Sequence, residues 1–172
     1  IHDNETERLC LVTDRFGVIP LYYARLPSGG TVWGSSLRMP RLHPAVRATV
    51  SPQAVFHYLY FHMIPSPATP FQDIHKLRPG EAVVIGARGA DHRRYWMPAF
   101  NEAAVDETAL AAALRQSLAD SVSRSAAERQ GTFLSGGLDS STVTGLLAEA
   151  RYGDVDAYSF GFSVEGYDEM EY

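Results

Sequence analysis

The chain has 172 residues, a net charge of −5, 45% apolar residues and 20% charged residues. That balance belongs to a folded protein of one or two modest domains and excludes a disordered one. The negative charge offers no broad basic footprint for nucleic acid or an anionic membrane, and no run approaches the roughly 18 apolar residues of a membrane span.

Leu9 to Thr13 is an apolar run that predicts a buried strand, with Asp14-Arg15-Phe16-Gly17 as the turn after it. Val18 to Ala24 predicts a second strand, in which Pro20 marks an edge or a strand start. Pro27-Ser28-Gly29-Gly30 is a turn and Thr31 to Ser35 a third strand, so the three read as an antiparallel meander. Ser51-Pro52 then opens a helix, with a hydroxyl at the N-cap and proline at the first helical position. Val55, Tyr58, Leu59 and His62 share one helical face, and Ile64-Pro65-Ser66-Pro67 ends the helix. Glu81 to Ala87 is a further strand, paired as a hairpin with His92 to Trp96 across Arg88-Gly89-Ala90-Asp91. Cys10 is the one cysteine. It reads as a small buried hydrophobe, and a chain with no internal disulfide fits a reducing, cytoplasmic setting.

The texture changes near Met97 to Ala104, which places a domain boundary at about residue 99 and predicts domains 1–98 and 99–172. A long helix follows from Asp106 to about Glu128, with Leu110, Leu114, Leu118 and Val122 in one apolar stripe. Then come a strand at 131–135, a helix at 140–150 and a strand from Val155 to Phe162. Strand, helix, strand is a βαβ unit, which implies a parallel sheet with a right-handed crossover. The chain begins Ile1-His2 and stops at Glu171-Tyr172 in what reads as the first turn of a helix, so an internal piece of a longer protein is expected.

The bend between that strand and helix carries the most chemistry. Leu134-Ser135-Gly136-Gly137-Leu138-Asp139-Ser140-Ser141 turns from an apolar strand into a helix N-terminus. Such a bend leaves several amides aimed at one point, and the helix dipole adds positive potential there. Gly136 and Gly137 allow close backbone approach to a ligand, and Ser135, Ser140 and Ser141 add hydroxyl donors. Asp139 is out of place in a pure anion site, but Mg²⁺ shared between a carboxylate and phosphate oxygens resolves the conflict. The pattern is not a Walker loop, since no Gly-Lys-Ser/Thr stands here. The competing reading is a plain turn with a capping serine. Phe160, near the carboxyl end of the second strand, is read either as a core aromatic or as a contact for adenine.

The bend resembles the PP-loop of ATP pyrophosphatases, and its Leu138-Asp139-Ser140-Ser141 is most similar to the glutamine-hydrolysing asparagine synthetase family. The resemblance extends upstream. Asp14-Arg15-Phe16-Gly17-Val18-Ile19-Pro20-Leu21-Tyr22-Tyr23 is similar to that family's Asp-Arg-x-Gly-x-x-Pro-Leu-Tyr-Tyr, and Trp33-Gly34-Ser35-Ser36-Leu37 to the strand after it, with Ser36 where the family has Glu. His75-Lys76-Leu77-Arg78-Pro79-Gly80 resembles its Leu-Pro-Pro-Gly segment, and Tyr95-Trp96 matches its Tyr-Trp.

The resemblance implies an α+β N-terminal part of the Ntn-hydrolase, class II glutamine amidotransferase type, followed by an α/β, parallel-sheet PP-loop domain of the adenine nucleotide alpha hydrolase kind, each incomplete. It implies ATP, aspartate and glutamine as small-molecule substrates and ATP with Mg²⁺ at the loop, and it leaves a homodimer open. Leu134 and Phe160 would contact the nucleoside. Ser135, Gly136, Gly137, Asp139, Ser140 and Ser141 would hold the pyrophosphate, with Asp139 on Mg²⁺. Asp14 would bind the α-amino group of glutamine; a plain turn residue is its other reading. The nucleophile implied is a cysteine at a mature N-terminus, whose free amine serves as base. Cys10 is internal and lacks that amine, so no catalytic nucleophile is assigned within these residues. Two rivals stand beside this reading: a paralogue on the same scaffold that closes a lactam or amidates another carboxylate (of a peptide or cell-surface substrate), and a degenerate nucleotide-binding or purely structural fragment.

Overall fold

A computed structural model describes residues 1–100, 106–128, 130–151 and 155–161. The chain divides into two compact units, Ile1–Phe100 and Asn101–Tyr172.

The first unit holds seven strands and two helices among the described residues: β1 (His2–Asp3), β2 (Arg8–Val12), β3 (Tyr22–Arg25), β4 (Thr31–Gly34), α1 (Arg38–Arg41), α2 (Pro52–Phe61), β5 (His75–Lys76), β6 (Glu81–Gly86) and β7 (Gly89–Arg94). They form two antiparallel sheets, ordered β1-β2-β6-β7 and β4-β3-β5. The expected meander is corrected here. β2 pairs with β6, Leu11 opposite Val83, and not with β3. The second strand also begins four residues late, at Tyr22. The Asp14 carboxylate captures the amides of Val18 and Ile19, and Pro20 has no N–H to give a ladder.

The core of this unit joins the two sheets. Leu11, Val83 and Ile85 from one meet Tyr23 and Leu77 from the other, with Leu9 and Leu21 packed around them. Burial alternates along β6, so Glu81, Val83 and Ile85 share its inner face. Cys10 is half-buried rather than buried. The hairpin turn is tighter than expected: Gly86 pairs with Gly89, leaving Ala87 and Arg88 at its tip, and Glu81 stands opposite Arg94.

Helix α2 starts as the residues dictate, with Ser51 Oγ accepting from the Ala54 amide at 3.3 Å and Pro52 at the first position. The face of Val55, Tyr58 and Leu59 is exposed; Ala54 is the helix's buried residue. The helix ends before the proline segment, where His62 takes a left-handed conformation (φ 55°).

The second unit contains α3 (Glu107–Ser125), β8 (Gly131–Phe133), α4 (Leu138–Arg151) and β9 (Asp156–Tyr158). Asp106 caps α3 by accepting from the Thr108 amide at 3.1 Å. The helix stops at Ser125, three residues before the expected Glu128, after the hydroxyls of Ser121 and Ser125 have bonded back to carbonyls one turn earlier. β8 and β9 run parallel with α4 as the connection between them, and Phe133 stands opposite Tyr158. α3 packs on α4. Leu147 is buried, whereas Leu110 and Leu114 of the apolar stripe remain exposed. α4 opens at Leu138, two residues before the expected start, and both strands are shorter than expected. Phe162 and the expected helical turn at Glu171-Tyr172 lie outside the described residues.

Candidate functional site

Two places gather the residues singled out from the sequence. The first is the bend between β8 and α4. Its entry is fixed by sheet geometry: the Leu134 amide donates to Tyr158 O at 2.8 Å, and Ser159 Oγ donates to Leu134 O at 2.6 Å. Gly136 then turns the chain with φ 78°, a left-handed conformation that costs a β-carbon-bearing residue about 1–2 kcal/mol. Ser140 ties the two sides together. Its Oγ accepts from the Ser135 amide at 3.2 Å, lies 3.1 Å from Ser135 Oγ and donates to Gly137 O at 3.1 Å. The Ser141 amide makes the first helical bond, to Gly137 O. Among the described residues, the amides of Gly136, Gly137, Leu138, Asp139 and Ser140 have no protein acceptor. Five unpaired donors at the positive end of a 14-residue helix form a place for an anion.

Asp139 is exposed in the first turn of α4. Among the described residues no three His, Cys, Asp or Glu side chains cluster as a metal cage. A single exposed carboxylate beside free amides still fits Mg²⁺, which binds through one or two carboxylates together with substrate phosphates. Leu134 is half-buried, and Phe160 is exposed. The Phe160 ring stacks on Phe133 with centroids 5.8 Å apart, and both rings are exposed among the described residues.

The second place is Asp14, just beyond β2. Its Oδ1 accepts from the amides of Phe16 (3.0 Å) and Val18 (3.1 Å), and its Oδ2 from the amide of Ile19 (3.1 Å). The amides of Ile19 and Val18 hold its carboxyl below the usual carboxylate range. An ionised carboxylate has about four acceptor positions. Three are used within the turn, so one remains on an exposed group.

The turn itself is clamped by Thr13, Arg78, Gly80, Glu81 and Tyr95, residues to which the sequence assigned no site role. Thr13 is buried at 2% exposure. Its Oγ1 donates to Arg78 O at 2.6 Å, and its carbonyl accepts from the Tyr95 hydroxyl at 2.5 Å. Gly80 N donates to Asp14 O at 2.9 Å, and Tyr95 N donates to Gly80 O at 2.9 Å. Glu81, buried at the start of β6, accepts from the Arg78 amide (2.7 Å) and lies 2.9 Å from His92 Nδ1. His92 Nε2 in turn meets the Tyr23 hydroxyl at 3.2 Å. Burial first, and the Glu81 charge second, push the Tyr23 phenol upward, so it keeps its proton. The one hint in the sequence was the Arg78-Pro79-Gly80 and Tyr95-Trp96 segments, whose meeting with Thr13 nothing local announces.

Residues 1–96 match the family described as glutamine amidotransferase domain. The chain belongs to that family. A second match, described as asparagine synthase, covers residues 113–172. Among curated proteins, this chain is 28% identical over 162 residues to asparagine synthetase [glutamine-hydrolyzing] 1 of Bacillus subtilis (strain 168), covering 92% of this chain and 25% of that protein. It is also 28% identical over 151 residues to asparagine synthetase [glutamine-hydrolyzing] 3 of the same organism, covering 86% of this chain and 24% of the relative. The chain thus spans about a quarter of the length of the relatives it matches. Among its described residues no helix is long and apolar enough to cross a membrane.

Proposed function

We propose that this chain belongs to a glutamine- and ATP-dependent enzyme that converts aspartate to asparagine, with AMP and pyrophosphate as the other products. Residues 1–98 would serve the glutaminase half, and 99–172 would begin the ATP pyrophosphatase half. The observation that carries the reading is the bend from Ser135 to Ser140, with its five unpaired amides at the start of α4. The two family matches in one chain, and the names of the relatives, support the acyl substrate and the nitrogen donor.

In this mechanism a β-carboxylate oxygen of aspartate attacks the α-phosphorus of ATP. The bond from that phosphorus to the bridging oxygen breaks, and pyrophosphate leaves with the electron pair. The unpaired amides of 136–140 would meet the charge that grows on the leaving group, with the Ser135 and Ser141 hydroxyls as further donors. Preorganised donors of this kind are worth about 3 kcal/mol each when they act in the transition state. Asp139 would hold Mg²⁺, whose bound charge neutralises phosphate oxygens. Leu134 and Phe160 would flank the nucleoside. Ammonia released from glutamine then attacks the acyl carbon and expels AMP. In the glutaminase half, Asp14 presents its free acceptor position to the α-ammonium group of glutamine, a charge-assisted hydrogen bond.

The test is product analysis of the complete protein with ATP, aspartate and glutamine. AMP, pyrophosphate and asparagine are expected. ADP and phosphate would overturn the cleavage position. AMP formation with another carboxylate, and none with aspartate, would replace the acyl substrate by that of a lactam-forming or peptide-amidating relative.

A further inference from the structure

We propose that Thr13 and Tyr95 are positioning residues that fix the Asp14 carboxylate for the α-ammonium group of glutamine. The inference rests on the reading of Asp14 given above and extends it to side chains that touch no substrate.

One peptide plane links Thr13 to Asp14. The carbonyl of Thr13 and the amide nitrogen of Asp14 belong to the same rigid unit, so fixing that carbonyl fixes the plane from which Asp14 hangs. The Tyr95 hydroxyl fixes it, with an O···O distance of 2.5 Å. Tyr95 is itself tied down, since its amide donates to Gly80 O at 2.9 Å. The residue on the near side of that plane is held too: Thr13 donates its amide, part of the preceding peptide unit, to Glu81 O (3.0 Å) and its hydroxyl to Arg78 O (2.6 Å). The carbonyl of Asp14 is held by Gly80 N at 2.9 Å. Three separate segments, 13–19, 78–81 and 95–96, therefore converge on the backbone of one acidic residue. The Phe16 and Trp96 rings close the outside, edge to face at 5.1 Å.

A turn needs far less than this. Its own carboxylate already bonds three amides of the loop. The additional clamps act on the backbone and leave the one free acceptor position of an exposed carboxylate pointing in a fixed direction. A displacement near 1 Å at such a contact is enough to cost about two orders of magnitude in a positioned reaction.

The experiment compares glutamine with glutaramate, which is glutamine without its α-amino group, as substrate and competing ligand of the complete protein. Tyr95→Phe removes the hydroxyl and keeps the ring. It is expected to raise the KM for glutamine about fivefold while the inhibition constant of glutaramate stays within about twofold. Thr13→Val should do the same, and Thr13→Ser should restore glutamine binding. Asp14→Asn should abolish most of the preference for glutamine over glutaramate. If Tyr95→Phe weakens both ligands equally, or leaves the preference at its wild-type value while Asp14→Asn removes it, the positioning role is wrong. If Asp14→Asn itself keeps the wild-type preference, the reading of Asp14 fails, and the positioning role fails with it.

Discussion

Replacing Gly80 by alanine tests whether the clamp on Asp14 is as rigid as its geometry implies. Gly80 sits at φ +64°, and a β-carbon there would stand 2.4 Å from the carbonyl oxygen of Trp96 and 3.2 Å from its carbonyl carbon. The backbone conformation alone costs an L-residue about 1–2 kcal/mol. The obstruction is backbone, so no side chain can swing aside. The segment that carries this carbonyl is also held, because the amides of Tyr95 and Trp96 both donate to Gly80 O at 2.9 and 3.3 Å. Moving it opens at least one of those bonds, which adds about 1 kcal/mol. The expected total is about 2–3 kcal/mol. Gly29 supplies the control: it has φ +93°, with nothing within 4 Å of its built β-carbon. Gly29→Ala should carry the conformational cost alone. Urea unfolding of both variants in the complete protein, read from midpoints at constant slope, gives the difference directly. Equal costs would show that Trp96 yields freely, and the rigid-clamp reasoning would be wrong.

Ser140→Ala removes the group that accepts from the Ser135 amide and bonds Gly137 O. Alanine suits a helix, so stability should change little while the Kd for Mg-ATP, measured by titration calorimetry, rises about tenfold or more. Glu81→Leu strands the Arg78 amide and the His92 ring beside it; a loss of about 1–3 kcal/mol is expected in urea unfolding, the lower end reflecting water access to the half-exposed partners. Asp14 has a folded pKa below its unfolded value, so its contribution to stability is present above the unfolded value and disappears as pH falls through the lowered folded one. Unfolding midpoints of Asp14→Asn should therefore lie below wild type near neutral pH and converge on it as pH falls below the ordinary carboxylate range of about 4.

What could be read from the sequence was what neighbours along the chain decide. Ser51-Pro52 and Asp106 each announce a helix start through a side chain that reaches its own backbone within three residues. The parallel pair β8 and β9 follows from a strand, helix, strand succession within thirty residues. The pairing of β2 with β6 joins Leu11 to Val83, and no local pattern distinguishes that partner from the nearer β3. The two-residue strands β1 and β5 carry too few side chains to show a period, and α1 opens at Leu37 with no side-chain cap to mark it. Helix α2 misleads for a different reason: a 3.6-residue apolar rhythm reports a covered face only where something covers it, and here its aromatic residues are exposed.

The candidate sites divide along the same line. Every group of the bend from Leu134 to Ser141 lies within eight consecutive residues, so its chemistry is visible in the primary structure. The support of Asp14 comes from Arg78, Gly80 and Tyr95, more than sixty positions away, and only folding assembles it. Asp14 also shows why a turn residue and a binding residue need not be rivals. A carboxylate that spends three acceptor positions on its own loop is held ionised and in one orientation, and a ligand at the fourth position would meet a group already ordered. If Asp14 receives an ammonium group as proposed, the local role that makes Asp common in turns is the means by which the same side chain is made ready for it.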